Sequence, residues 1–356
     1  MSADRYGVLL CNIGTPDGPA AAPVRRYLRE FLSDPRVIDI NPIGRWLLLN
    51  LIILPTRPRK SAEAYSQIWT DEGSPLLLHA NGLAEGLRAH LPDADVRVGM
   101  RYGSPSIIEG LAHFRRAGIE RLVVFPLFPQ YASSSTGTAL ELIYREAAAR
   151  WNTPNISVVP PFFDNPAFID PFVEIGREAL ADFGADHTLF SFHGLPERHM
   201  QKSDDTGAHC TVVEKCCETL CEANRNCYSA QCYATAVAMA RGLGLSAEQY
   251  TLSFQSRLGR TPWLRPYTDV VLPELVASGV KRLAVFCPAF VADCLETLEE
   301  IGIRAEADFR AAGGEALRLV PCANSHTSWI EGAARLVRCA AYGGMPEPAA
   351  EPIPSV

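Results

Sequence analysis

His193 stands in the segment SFHGLPERH, at the end of the apolar run Thr188–Phe192 and just before Gly194 and Pro196. A short apolar run bounded by turn residues reads as a buried strand, and Gly-Leu-Pro turns the chain sharply. The imidazole therefore projects at a strand end. Histidine titrates near neutrality and ligates divalent iron, which suits it to accept a proton or to handle a metal. The alternative is a structural histidine tied to a loop carbonyl. His199, in the irregular stretch that follows, is expected on the solvated surface. Glu296, in FVADCLETLEE, follows a second apolar run, Leu283–Cys287. Asp293 and Glu296 have the spacing of a capping box, which gives Glu296 a structural reading. Glu296 and Glu300 would share one helix face, where like charges repel unless solvated or engaged with a cation. That spacing admits a metal path through His193, Glu296 and Glu300.

Cys210, Cys216, Cys217, Cys221, Cys227 and Cys232 fall within 23 positions. Thiolates at this density in a reducing compartment hold iron–sulfur clusters or zinc; a small thiol-rich core is the other reading. If Thr211–Ala223 is helical, Cys217 and Cys221 share one stripe and Cys216 points about 100° away. Cys210, Cys217, Cys221 and Cys227 are the expected ligands, with Cys216 and Cys232 as alternates.

Short apolar runs alternate with amphipathic stretches of helical length, the pattern of an α/β chain with mostly parallel sheet. Strands are expected at Gly7–Asn12, Val96–Met100, Leu122–Pro126, Ser157–Val159, Thr188–Phe192, Tyr250–Phe254 and Leu283–Cys287. Helices are expected at Ala21–Leu32, Ser61–Trp69, Gly82–His90, Ile107–Ala117, Gly137–Arg150, Pro166–Asp182, Glu296–Ala312 and Thr327–Ala341. The halves echo each other in the same order. VLLCNIGTP at Val8 matches LFSFHGLP at Leu189, VGMRYGSPS matches SFQSRLGRTP, and GIERLVVFPLFPQ at Gly118 matches GVKRLAVFCPAF at Gly279. Two similar βα domains would face a cleft lined by Asn12–Thr15, Arg101–Ser104, Gln130–Thr136, Ser191–Pro196, Gln255–Arg257 and Phe290–Glu296. Ligands of open α/β sheets bind beyond the strands' carboxyl ends, where all of these loops lie.

The chain has 356 residues, 47% of them hydrophobic and 21% charged, with a net charge of -7. This fits about two globular domains, and without a basic run interleaved with aromatics it excludes a nucleic-acid partner. The first residues carry no basic region followed by an apolar one, so no export signal is expected. The most apolar window, Ile43–Leu54, is shorter than the roughly 20 residues a bilayer requires. Eleven cysteines without such a signal point to reduced thiols and a cytoplasmic setting.

SFHGLPERH, SFQSRLGRTPWLRPYTD and CPAFVADCLETLEEI, together with LLCNIGTPDGP, GMRYGSPS and FPQYASSSTG, resemble the ferrochelatase signature over about Tyr6–Arg338. The resemblance implies insertion of ferrous iron into protoporphyrin, with Fe2+ and porphyrin as substrates. It also implies the type II chelatase-like fold: two Rossmann-like domains, 5–165 and 166–324, flanking the porphyrin cleft. A helix over 325–342 would return to the first domain, and 343–356 would form a flexible tail. His193 matches the family's active-site histidine and Glu296 its facing glutamate. The chemistry agrees. Bending a porphyrin tilts its nitrogen lone pairs outward, and roughly 1–5 kcal/mol of strain can come from binding elsewhere. Two N–H protons must then leave. Which residue takes a proton and which handles iron is left open.

Tyr65, Arg101, Tyr102, Tyr131, Ser133, Gln255, Ser256, Arg257, Phe290 and Trp263 are further candidates. The aromatics would pack on the macrocycle, and Arg101 or Arg257 would pair with propionates. Trp263, after Pro262, reads equally as a loop anchor. Asn12 and Ile13 stand where coproporphyrin-using relatives carry tyrosine, which favours protoporphyrin. Cys294 stands where animal members have a second histidine, and Arg304 interrupts their acidic row. Residues 206–228 exceed the usual family length. Many members carry a two-iron, two-sulfur cluster, and in some bacterial members an internal segment supplies its ligands, so the resemblance implies such a cluster here, with zinc as the alternative. Ile43–Leu54 and the basic residues Arg57, Arg59 and Lys60 align with the apolar lip beside the cleft, suited either to an anionic membrane face or to burial. Rival readings are a chelatase for another metal and tetrapyrrole, or a non-catalytic haem or metal sensor. Oligomeric state is not legible.

Overall fold

The computed structural model describes residues 5–259 and 261–343. Its strands are β1 Tyr6–Gly14, β2 Ala94–Tyr102, β3 Arg121–Pro126, β4 Asn155–Val158, β5 His187–His193, β6 Tyr250–Gln255, β7 Arg282–Phe286 and β8 Ala316–Leu319. They form two parallel four-stranded sheets, ordered β2-β1-β3-β4 and β6-β5-β7-β8. The repeated order explains the sequence echo, since β1 and β5 are equivalent strands at the same place in each sheet. Val8, Leu9, Leu10 and Cys11 are all fully buried, because helices cover both faces of a parallel sheet.

The helices are α1 Ala21–Ser33, α2 Pro42–Leu47, α3 Leu54–Ile68, α4 Pro75–His90, α5 Ile107–Arg116, α6 Thr138–Ala148, α7 Pro166–Leu180, α8 Glu197–Lys202, α9 Tyr228–Leu243, α10 Thr268–Ala277, α11 Leu295–Leu298, α12 Glu306–Ala311 and α13 Thr327–Tyr342. α13 packs on α4, β3 and β4 of the first half and on α7. Trp329 stacks on Phe162 at 5.8 Å, and Arg338 Nη2 donates to the His90 carbonyl at 2.7 Å. Gly332 permits the approach to α7: a Cβ there would lie 2.2 Å from the Ala167 carbonyl oxygen.

Several expectations change. Helix begins at Pro42 rather than Ser61, because a π-helical segment, Leu48–Ile53, joins α2 to α3 in one continuous run that contains Pro55 and Pro58. The expected helix Glu296–Ala312 divides into α11, a π-helical Glu300–Ala305 and α12. β8, α8, α9 and α10 were not anticipated. Thr211–Cys221 is not helical, and only a short 3-10 turn, Glu222–Asn224, follows. Thr211 and Lys215 have positive φ, and side chains claim the backbone instead: Asp204 accepts from the His209 and Cys210 N–H groups, and Asn224 Nδ2 donates to the Cys216 and Thr219 carbonyls. Most of the expected tail, 344–356, lies outside the described residues. Among the described residues, no helix is long and apolar enough to cross a membrane.

Candidate active site

His193 ends β5, where it is paired in register with Gln255 at the end of β6. The half-buried imidazole places Nδ1 2.6 Å from the Gly194 carbonyl oxygen. A carbonyl only accepts, so Nδ1 carries the hydrogen and the lone pair of the neutral ring is on Nε2. The loop-carbonyl bond of the structural reading is present, and it fixes the ring so that Nε2 is the acceptor nitrogen. Tyr228 donates its hydroxyl to the His193 carbonyl at 2.8 Å, and Phe290 stands edge-on to the imidazole with centroids 6.3 Å apart.

Glu296 is not a cap. The N-cap of α11 is Cys294, and Thr297 closes the capping box. Asp293 instead accepts from Thr297 Oγ1 at 3.0 Å and from Asn324 Nδ2 at 2.7 Å, which ties it to the chain after β8. The half-buried Glu296 carboxyl is held above its ordinary range, first by burial and then by the Glu300 carboxylate; His193 opposes the shift. Gln255, the register partner of His193, donates to the Glu296 carbonyl and to the Glu300 carboxylate, which sets the three residues in one neighbourhood. Glu300 is already engaged. One oxygen accepts from Ser256 Oγ and from Gln255 Nε2 at 3.2 Å, and the other lies 3.4 Å from Arg304, which also pairs with Glu299 at 2.6 Å. Among the described residues, no three His, Cys, Asp or Glu side chains are grouped to hold one metal ion.

Gln255 was expected against substrate, but it is buried and its amide is spent on protein: it accepts from Ser191 Oγ at 2.7 Å and donates to the Glu296 carbonyl at 2.7 Å. It braces the two carboxylate-bearing positions. Ser256 adopts φ 65°, a left-handed conformation that costs a non-glycine residue about 1–2 kcal/mol. That turn aims its hydroxyl at Glu300.

From the first half, Tyr27 and Tyr65 face this region. Burial, and for both the Glu296 charge among other causes, push their hydroxyls well up. Ile13 and Leu295 pack against the same apolar cluster. Tyr27 was missed, since nothing in α1 marks it in sequence. Arg101 and Tyr102 are both engaged within the first half. The buried Asp34 carboxylate accepts from Arg101 Nη2 at 2.7 Å, Tyr102 OH at 2.9 Å and Thr138 Oγ1 at 2.6 Å. Burial opposes its charge, yet these bonds and the Arg36 N–H hold the carboxyl below its usual range. Tyr102 is fully buried and reaches no cleft. Arg257 pairs with Asp269 at 2.5 Å over the Tyr267 ring, and Trp263 anchors a loop by donating to the Leu258 carbonyl at 2.8 Å. Ser133 accepts from Arg36 Nη1 at 2.8 Å beside the Tyr131 hydroxyl, and Arg36 was not anticipated. The Tyr131 N–H donates across the halves to Gln231 Oε1 at 2.7 Å. His199 is buried, not solvated.

In the cysteine-rich segment, the sulfurs of Cys216 and Cys217 lie 3.7 Å apart, and Cys210, Cys216 and Cys227 line one small cavity. Cys221 stands apart, 3.8 Å from His209 Nε2, and Cys232 is buried. Three of these thiols thus share a cavity with Cys217 beside it, and Cys221 does not line it.

The ferrochelatase family model matches residues 5–341. A ferrochelatase of Coxiella burnetii (strain Dugway 5J108-111) is 46% identical over 336 residues, covering 94% of each chain. One from Legionella pneumophila (strain Paris) is 46% identical over 328 residues, covering 92% of this chain and 97% of the relative. Among solved structures, SirB from Bacillus subtilis with Fe3+ aligns over 95% of this chain and 96% of its own, with a TM-score of 0.53 and 14% identity, a likeness of fold.

Proposed function

The chain belongs to the ferrochelatase family, and we propose that it inserts Fe2+ into protoporphyrin to form protohaem, with His193 and Glu296 as the working pair. The observation that carries this reading is an imidazole at the end of β5 with Nε2 left unclaimed, beside a Glu296 backbone that Gln255, the register partner of His193, holds by donating to its carbonyl. As one dication enters the ring, two pyrrole protons leave. Nε2 of His193 accepts one, and Glu296, whose raised pKa brings its basicity nearer to neutrality, suits the second transfer. Phe290, Tyr27 and Tyr65 supply an apolar, aromatic setting in which a bent macrocycle is held. Ile13 at the β1 end supports protoporphyrin as the substrate. Anaerobic assay with Fe2+ and protoporphyrin, beside coproporphyrin, tests the reading. Protohaem formation with a clear preference for protoporphyrin is expected, and no insertion into either ring overturns it.

Cys210, Cys216, Cys217 and Cys227 fit a two-iron, two-sulfur cluster. Each iron takes two thiolates, and about 3.7 Å is the spacing of two sulfurs bonded to one tetrahedral metal at about 2.3 Å. Structural zinc needs four converging ligands, and the pairwise contacts suit it less well. Bound there, the cluster would supply one-electron chemistry and a staple for the segment. Met200 packs on Cys227 with sulfurs 3.9 Å apart, so α8 forms part of the cradle.

The α2–α3 region supports peripheral membrane contact. Ile43 is 74% exposed, and Trp46, Leu51 and Ile52 are also bare. Arg57, Arg59 and Lys60 follow on the same helical run. A greasy substrate and an anionic inner membrane face suit such a surface.

A further inference from the structure

Asp39 lies between α1 and α2, in the first half. One of its oxygens, Oδ2, accepts from Lys202 Nζ at 2.7 Å and Arg198 Nε at 3.3 Å, and lies 3.7 Å from His199 Nε2. All three partners belong to α8, in the second half. His199 is buried, and its Nε2 makes no hydrogen bond. Asp39 Oδ2 is the nearest charged group to this imidazole and lies beyond hydrogen-bond distance.

Both ends of the contact are tied to the cleft. α8 begins four residues after His193, and the connecting loop is braced: Gly194 N donates to the Gln255 carbonyl at 2.8 Å, and Leu264 N donates to that of Leu195 at 2.9 Å. On the other side, Ile38 packs in the apolar cluster with Tyr27 and Tyr65. The carbonyls of Ile38 and Ile40 accept from Arg45 Nη1 at 3.3 and 3.2 Å, which links the segment to the exposed helix α2. The Lys202 side chain is 65% exposed and that of Arg198 is 34% exposed, so each pair is weak and open to screening. A contact of this kind can open and reclose.

We propose that Asp39 is a positioning residue, a clasp that holds the lip-bearing segment of the first half against α8 and so sets how tightly porphyrin is retained. The proposal rests on the reading of the cleft as a porphyrin site. Asp39 touches no reacting atom, so its loss falls on porphyrin KM and not on kcat.

The test uses the full chain with D39N, D39E and the partner-side variant R198Q/K202Q. D39N should raise porphyrin KM roughly threefold to tenfold, with kcat little changed. The wild-type KM should climb with salt toward the D39N value, whereas that of D39N stays flat. D39E should recover most of the affinity, which lost fold stability alone would not produce. Metal-free porphyrin titration, followed by tryptophan quenching, reads the clasp even if His193 proves not to be the base. A variant too unstable to assay leaves R198Q/K202Q to decide from the other side. Wild-type KM and wild-type salt dependence in both D39N and R198Q/K202Q would overturn the proposal.

Discussion

Replacing Arg101 by glutamine separates two roles for a residue that sequence alone sets against the substrate. Its guanidinium holds the Asp34 carboxylate at 2.7 Å, with side-chain exposures of only 17% for Arg101 and 5% for Asp34. Removing one partner of a buried pair costs about 3–5 kcal/mol. Asp34 keeps Thr138, Tyr102 and the Arg36 N–H as donors, so the low end, about 3 kcal/mol, applies here. At the sensitivity of a domain this size, that lowers the unfolding midpoint by roughly 6–12 °C. Thermal unfolding by circular dichroism, with porphyrin KM measured on the same preparation well below the new midpoint, is the assay. The double variant D34N/R101Q should lose less than the sum of the singles, because the second substitution breaks a pair already broken. An R101Q protein as stable as wild type but with porphyrin KM raised tenfold or more would refute the reasoning and return Arg101 to the propionates.

The raised Glu296 carboxyl makes E296Q informative for stability as well as turnover. An acid whose folded pKa is raised favours the folded state in its protonated form, and that contribution is lost as pH rises through the folded pKa. E296Q should therefore be at least as stable as wild type at pH 8, with the advantage vanishing toward the ordinary carboxyl value of 4.5; a destabilised E296Q at pH 8 would restore a structural role. Of the cysteine variants, C216S and C217S should bleach visible absorption while C221S keeps it, and a colourless wild-type protein rich in zinc would contradict the cluster. Replacing Trp46 and Leu51 by glutamate should abolish cosedimentation with anionic vesicles without lowering turnover on detergent-dispersed porphyrin, and unchanged cosedimentation would remove the membrane surface.

Strand ends were the most legible part of this chain. Buried parallel strands are short apolar runs, so the sequence echo located β1 and β5 and, at their ends, Ile13 and His193. β8 escaped because Ala316–Leu319 is too short to show a period. The π-helical turns after Leu47 and Glu299 escaped because a single inserted residue leaves no local signature. Long-range partners were the larger loss. Asp34 meets Arg101 across 67 positions and Asp39 meets Lys202 across 163, and nothing near either acid announces its cation. The cysteine segment failed for a local reason: Asp204 and Asn224 bond the backbone that a helix would have used.

The proposed chemistry depends most directly on the His193 imidazole, whose Nδ1 is spent on Gly194 and whose Nε2 is left to act. Metal insertion and metal-free porphyrin binding should be measured side by side on H193A. Binding should stay close to wild type while insertion falls by about 10²–10⁴-fold, the usual contribution of a positioned proton acceptor. Insertion at the wild-type rate in H193A would contradict it.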